Sequence, residues 1–188
     1  RDPKYFLAAP TYNQAKRIFW KDLKDFIPRR FRYGKTMESY LILRLINGAE
    51  IHVLGLDKPE RIEGTPWNGG LITEFPNVKQ KAWLEHIRPA LMDRRGWCIL
   101  EGVPEGRGYY YRLDKVARIE AEDPDGEWDS FHWTAEEVLP LYGMEREVEA
   151  ARRDMDELTY DQEMRAKFVN FTGQAYYNYN ENLHASTK

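Results

Sequence analysis

The sequence predicts an α/β fold, a mostly parallel sheet flanked by helices with a β-hairpin addition, and two stretches predict it. The first runs from Gly69 to Gly108. Its apolar runs Gly70-Leu71-Ile72 and Trp97-Cys98-Ile99-Leu100 are too short for helices and are bounded by turn residues, so both read as buried strands. Between them, Gln80 to Arg94 carries Ala82, Trp83, Ile87, Ala90 and Leu91 near helical spacing, which completes a parallel crossover unit. The second stretch, Tyr40 to Leu54, is two β-rich runs joined through Asn47-Gly48, the pattern of a hairpin. At the start, the apolar run Tyr5 to Ala9 is closed by Pro10 and a helix follows.

That helix is expected from a Thr11 cap to about Ile27, burying Ala15, Ile18, Phe19, Leu23 and Phe26 and turning Lys16, Lys21 and Lys24 outward. The basic loop Pro28 to Thr36 follows. It ends in Gly34-Lys35-Thr36, which looks like the close of a Walker A phosphate loop, but Arg29 stands where the first glycine belongs. A Walker A loop also follows a strand and opens a helix, whereas this one follows a helix and leads into a strand. Gly55 to Asn68 is a loop carrying Arg61. Beyond Gly108, Tyr109 to Leu113 starts a short helix, Glu122 to Gly126 is a turn, and Trp128 to Trp133 alternates as a strand. Thr134 caps Ala135-Glu136-Glu137, and a long charged helix is expected from Glu145 to about Val169.

A length of 188 residues suits one good-sized domain or a domain with an appendage. With 42% hydrophobic and 31% charged residues, the composition is that of a globular protein, and no apolar run is long enough for a membrane helix. One cysteine excludes an internal disulfide and multi-cysteine zinc clusters, so a reducing compartment is expected. The net charge of -3 argues against a wholly basic nucleic-acid module. Charge is unevenly spread, however, with ten Lys or Arg against three Asp up to Thr36. Solvated helix faces and a phosphate-touching surface both fit that bias. His52, His86, His132 and His184 show no metal-ligand spacing and read as structural.

Chemistry in parallel sheets gathers where strands end. Here the ends carry Thr73-Glu74 and the turn Glu101-Gly102-Val103-Pro104-Glu105-Gly106, a carboxylate beside glycines that let backbone approach a ligand. An ordered set of segments then resembles the ATPase domain of the large terminase subunit of tailed bacteriophages or prophages. The set comprises Ala9 to Lys16, Gly70 to Glu74, Ile87 to Leu91 with Asp93 to Trp97, Gly102 to Gly106, Phe131 to Trp133, and Gln162 to Val169.

The resemblance implies a P-loop NTPase of the ASCE type, whose chemistry is phosphoryl transfer from ATP to water with Mg2+. It makes Leu71, Ile72, Thr73 and Glu74 the Walker B segment, with Glu74 the base that prepares the attacking water. Thr73 stands where the family has an aspartate that holds magnesium through water. Gly102, Val103, Pro104 and Gly106 become the coupling motif, Val103 replacing the usual threonine. Arg61 falls near the family's trans-acting arginine. Arg29, Arg30, Arg32 and Lys35 are the residues expected to touch DNA phosphates.

It further implies double-stranded DNA, the portal protein and the small terminase subunit as partners, and assembly into a homo-oligomeric ring. The setting would be the host bacterial cytoplasm, with transient docking on the procapsid and no membrane. On this reading residues 1–170 are the motor domain lacking its N-terminal Walker A strand and loop. Residues 171–188 lead toward a nuclease domain outside the chain. A helicase-like nucleic-acid-dependent ATPase and a nucleotide-free assembly module remain alternatives.

Overall fold

The strands are β1 (Lys4–Ala9), β2 (Ile42–Arg44), β3 (Glu50–Gly55), β4 (Gly69–Ile72) and β5 (Trp97–Leu100). They form one sheet in the order β2-β3-β1-β4-β5. The computed structural model describes residues 2–170, and the tail read as a linker, 171–188, lies outside the described residues. β1 is the central strand, parallel to β3 on one side and to β4 on the other, and β5 is parallel to β4. Only β2 runs antiparallel, against β3. The expected hairpin is therefore present, and its second strand is an integral member of the parallel sheet.

The two edges of the sheet differ. At β2 the chain lays residues 31–33 alongside, with Tyr33 N donating to Arg44 O (2.8 Å) and Ile46 N to Phe31 O (3.0 Å). At β5, the last strand in the order, Trp97 and Ile99 are 54% and 52% exposed. Unpaired backbone along such an edge is a template for another strand.

The helix after β1 is three pieces, α1 (Tyr12–Ala15), a π-helical turn Lys16–Trp20 and α2 (Lys21–Phe26). Thr11 caps it as expected, its side chain accepting from Gln14 N. The expected buried face is only partly correct: Ala15 is buried, but Ile18 and Phe26 are exposed and Trp20 is buried instead. A π turn inserts an extra residue, which advances the phase of everything after it, so a strict 3.6-residue spacing misassigns the face. Trp20 donates from Nε1 to Glu38 (2.7 Å), which satisfies its polar edge.

The crossover between β4 and β5 is helical as predicted, a π-helical segment Ala82–Ile87 followed by α3 (Arg88–Met92). It buries Ala82, Trp83, Ile87 and Leu91. Beneath β1, Phe6 meets Trp67 edge to face at 5.3 Å, and His52 meets the same indole at 5.0 Å.

A polar cluster ties β1, β2 and β3 at the opposite end of the strands. Glu50 accepts from Arg44 Nε (2.7 Å), lies 3.0 Å from His52 Nε2 and pairs with Lys4 (3.3 Å). Burial alone would raise the Glu50 pKa, but hydrogen bonds from His52, Arg44 and Lys4 outweigh it and hold the carboxyl at about 2. Burial lowers the His52 pKa, an effect that the neighbouring carboxylate only partly offsets. Both folded-state values lie below the unfolded ones, so both groups destabilise the fold as pH falls. His52 begins to do so below its ordinary value of 6.5, and Glu50 between 4.5 and about 2. Glu50→Gln is therefore expected to remove on the order of 3 kcal/mol of stability at pH 7 and much less near pH 2, read by urea unfolding at both pH values. An equal loss at the two would dismiss the charge network.

Contacts divide the chain into two compact units, Arg1–Gly102 and Val103–Lys188. Taken by itself, the second contains α4 (Tyr109–Glu120), α5 (Ala135–Val138), α6 (Glu145–Asp154) and α7 (Glu157–Glu163). Its centre is a charge hub: the Glu136 carboxylate accepts from Tyr160 Oη (2.7 Å), Arg152 and Arg165 Nε (3.3 Å). The two guanidiniums lie over the Tyr160 ring at 5.6 and 5.2 Å. Tyr110 and Tyr111 of the tyrosine triplet pack edge-on against Phe168, which leaves those two rings a packing role.

Two expectations fail in this unit. The strand predicted at Trp128 to Trp133 is absent; the segment is tied by Ser130 Oγ to Asp114 (2.7 Å) and by His132 Nε2 to Ala166 O (3.0 Å). Alternation makes a strand only where a partner edge exists, and none of the described residues of this unit forms one. Phe131 and Trp133 stack on each other at 6.0 Å, both largely exposed. The long helix predicted from Glu145 is broken at Met155, because Asp156 accepts from Leu158 N and Thr159 N and starts a new helix. The cap at Thr134 is as predicted, a full capping box with Glu137.

Candidate active site

β1, β3, β4 and β5 are parallel, so their carboxyl ends share one edge of the sheet. At that edge β1 leads into the Thr11-capped helix and β3 into Asp57, while β4 leads into Thr73-Glu74 and β5 into Glu101-Gly102. The end of β4 is tied to both neighbours. Thr73 N donates to Ala8 O of β1 (2.9 Å), Glu101 N donates to Ile72 O (3.0 Å), and Phe75 N donates back to Glu101 O (3.0 Å).

Glu74 itself has φ 52° and ψ 39°, the left-handed region that a residue with a β-carbon rarely adopts. Such a conformation costs about 1–3 kcal/mol and persists where surrounding structure over-determines it. Here the flanking bonds do so: the strand ends at Ile72, a 3₁₀ turn begins at Phe75, and Phe75 is buried at 2% exposure. The carboxylate left between them is exposed. Thr73 beside it is a buried polar residue, 7% exposed.

Gly102 sits against this turn. A β-carbon there would lie 2.6 Å from Pro76 Cδ and 3.3 Å from Phe75 N, so only glycine lets the end of β5 approach the Glu74 turn this closely. Of the other residues expected to form a coupling motif, Pro104 is buried and Gly106 takes φ 54°. Val103, Pro104 and Gly106 belong to the second unit and are described there alone.

Two features of this edge escaped the sequence reading. Asp57 accepts from Tyr12 N (3.1 Å) and so anchors the start of α1. Gly55 makes this possible, since a β-carbon there would fall 2.1 Å from Tyr12 N. A glycine and an acid immediately after an apolar strand were the available signal. Among the described residues no group of three or more His, Cys, Asp or Glu is arranged to hold a metal ion. For magnesium the edge offers hard oxygen donors, the Thr73 hydroxyl and the Glu74 carboxylate. These fit a shell shared with water and substrate phosphates, the usual way this ion is bound.

Arg61 sits in a 3₁₀ turn, Pro59–Ile62, with its side chain exposed. The basic loop divides its labour. Arg32 donates from Nε to Ile27 O (2.8 Å) and from its terminal nitrogen to Lys24 O, capping the end of α2. That guanidinium is bonded to the backbone at the end of α2. Arg30 lies over the Phe31 ring at 4.9 Å, and Arg29 and Lys35 are exposed. The Gly34-Lys35-Thr36 decoy follows a 3₁₀ turn, Arg29–Phe31, and no strand precedes it directly.

The order and directions of the strands make a mostly parallel α/β sheet with a carboxylate just past the tip of an inner strand. This fold is similar to that of solved ATPase domains of phage large terminases. The ATPase domain of the large terminase of Thermus phage P74-26 superposes with a TM-score of 0.72 at 21% identity, covering 89% of this chain and 77% of that one. The large terminase of a thermophilic bacteriophage, solved in complex with ADP, matches with a TM-score of 0.68 at 15% identity over 97% of this chain and 44% of that one.

In sequence the chain resembles the terminase large subunit of Thermus phage G20c, 24% identical over 205 aligned residues that cover 91% of this chain. It spans 41% of that relative's length. No family model matches. The likeness read from the sequence motifs is thus present in both sequence and fold. No helix among the described residues is long and apolar enough to cross a membrane.

Proposed function

We propose that the chain is part of an ATP-hydrolysing motor that drives double-stranded DNA into a viral procapsid, the role of a terminase large subunit. One observation carries this reading: Glu74, held in a left-handed conformation at the tip of β4 and backed by the Glu101-Gly102 end of β5. Backbone strain at a strand end beside a carboxylate marks a site where position matters more than stability. A structural neighbour solved in complex with ADP supports nucleotide binding.

In the proposed chemistry water attacks the terminal phosphorus of ATP, the bond to the ADP oxygen breaks, and the Glu74 carboxylate orients the water and takes its proton. Magnesium, when bound, would neutralise charge on the phosphate oxygens, and Thr73 is the residue that would hold its water shell. Thr73 supplies a dipole where a carboxylate would supply a charge, so weak magnesium affinity belongs to the proposal. Gly102, Val103, Pro104 and Gly106 would form the coupling motif.

The sequence contains no Gly-x-x-x-x-Gly-Lys-Ser/Thr segment, so the phosphate grip would come from residues outside it. The half-exposed edge of β5 is where a further parallel strand could add and bring such a loop beside Glu74. In a homo-oligomeric ring Arg61 would reach the nucleotide of the neighbouring subunit. Arg29, Arg30, Arg32 and Lys35 would contact DNA phosphates without reading sequence. The portal protein and small terminase subunit follow as partners, and residues 1–170 as the motor domain in the host cytoplasm. A nucleotide-free docking module is the second reading, and Thr73 in the metal position favours it.

The deciding measurement is ATP turnover by rings of the full-length protein in which Arg61→Ala subunits are mixed with unaltered ones. A trans-acting arginine makes turnover fall with dose, by about 10³-fold when every subunit is altered, while isolated subunits are unaffected. Equal loss in isolated subunits would place Arg61 in its own site. No ATP binding by the full-length protein would favour the docking reading.

A further inference from the structure

We infer that Glu63 and His86, together with Trp67, are positioning residues that aim Arg61 outward from the crossover helix. The inference rests on the proposed role of Arg61 and extends it to residues that touch no nucleotide. Among the described residues the Arg61 side chain makes no hydrogen bond or ion pair, yet the residues just after it are held. The carbonyl of Ile62, itself 1% exposed, accepts from Trp67 Nε1 at 2.9 Å, and Trp67 is 1% exposed. The Glu63 carboxylate is in hydrogen-bond contact with His86 Nδ1.

His86 is well rooted. It lies on the π-helical segment Ala82–Ile87, whose Ala82, Trp83 and Ile87 are buried under the sheet, and the 3₁₀ turn of Arg61 packs on that segment. Within the turn Arg61 N donates to Lys58 O (3.2 Å) and Glu63 N to Glu60 O (3.2 Å). Beyond Glu63 the chain passes to Gly64 with φ 69° and open space around it. The Glu63 to His86 contact is thus the last side-chain tie before a permissive loop.

An arginine that must meet a phosphate on another subunit gains from a fixed base. Its own side chain has free torsions, so the turn that carries it has to supply the aim. Trp67 fixes the turn from below through the Ile62 carbonyl, and the Glu63 pair fixes it laterally. Neither contact neutralises Arg61, which stays available to an incoming anion.

The test uses steady-state ATP turnover by rings of the full-length protein. Glu63→Ala is expected to lower kcat about tenfold with KM for ATP unchanged. Glu63→Gln, which keeps an acceptor for the imidazole, should restore most of it. The double variant Arg61→Ala with Glu63→Ala should be no slower than Arg61→Ala alone. Glu85→Ala, at an exposed pair on the same segment, should leave turnover unchanged, and a urea midpoint for Glu63→Ala equal to that of the unaltered protein would exclude a folding defect. A slow Arg61→Ala with an unaffected Glu63→Ala, or losses that multiply in the double variant, overturns the positioning role alone. Unchanged turnover in Arg61→Ala overturns the proposed arginine role and this assignment with it.

Discussion

Glu74→Gln in the full-length protein is expected to bind ATP normally and turn it over about 10²–10⁴-fold more slowly. Glutamine keeps the length and shape of the side chain and can still hydrogen-bond a water, but it cannot take a proton at neutral pH. The backbone around it should not notice, because the left-handed conformation at position 74 is set by the bonds at Thr73, Phe75 and Glu101, all main-chain. Nucleotide binding by calorimetry and single-turnover hydrolysis separate the two effects. Unchanged turnover would remove Glu74 from the mechanism.

A companion variant exploits the strain: Glu74→Gly removes the carboxylate and suits φ 52°, so it should lose turnover while the fold is no less stable. A strained residue whose relief costs activity but not stability is one held for its chemistry.

Trp67→Ala is expected to cost about 3–5 kcal/mol of stability in urea unfolding. The indole is among the largest fully buried side chains, packed edge to face against Phe6 at 5.3 Å and met by His52 at 5.0 Å. Truncation would empty a site whose walls come from β1 and β3, both hydrogen-bonded to neighbours and poorly placed to collapse inward. Trp67→Phe should cost less, about 1–3 kcal/mol, chiefly the buried Ile62 carbonyl left without its donor. A loss below about 1 kcal/mol for Trp67→Ala would mean that the sheet is anchored elsewhere. The residue also joins stability to function, because it bridges the core beneath β1 and the turn that presents Arg61.

The expectations that held were local ones. Thr11 and Thr134 announced helix starts because a cap depends on residues within one turn, and Asn47-Gly48 announced a hairpin for the same reason. Gly70 to Ile72, the helical spacing of Ala82 to Leu91, and Trp97 to Leu100 together disclosed a parallel crossover, although the second run, expected to be buried, is half-exposed because it is the last strand of the sheet. The misses were of another kind. Phe26 and Ile18 were placed inside because a π turn leaves no clear mark in apolar spacing, and Trp128 to Trp133 alternates yet has no partner strand in its unit.

What the sequence by itself determined is the set of parts: which runs become strands, where helices begin, and that a carboxylate follows an apolar strand at Glu74. Those are consequences of periodicity and of bonds that close within a few residues. Only the tertiary structure decided that β1, a run not assigned to the sheet in advance, is its central strand. It alone showed that the ends of β4 and β5 are tied through Ile72, Phe75 and Glu101, and that Gly102 and Gly55 are required by close approach. Those contacts join residues far apart in the chain, and their geometry depends on packing that no short stretch encodes. The left-handed twist at Glu74 is the clearest instance, because a glutamate adopts it only where neighbours from two other strands leave no alternative.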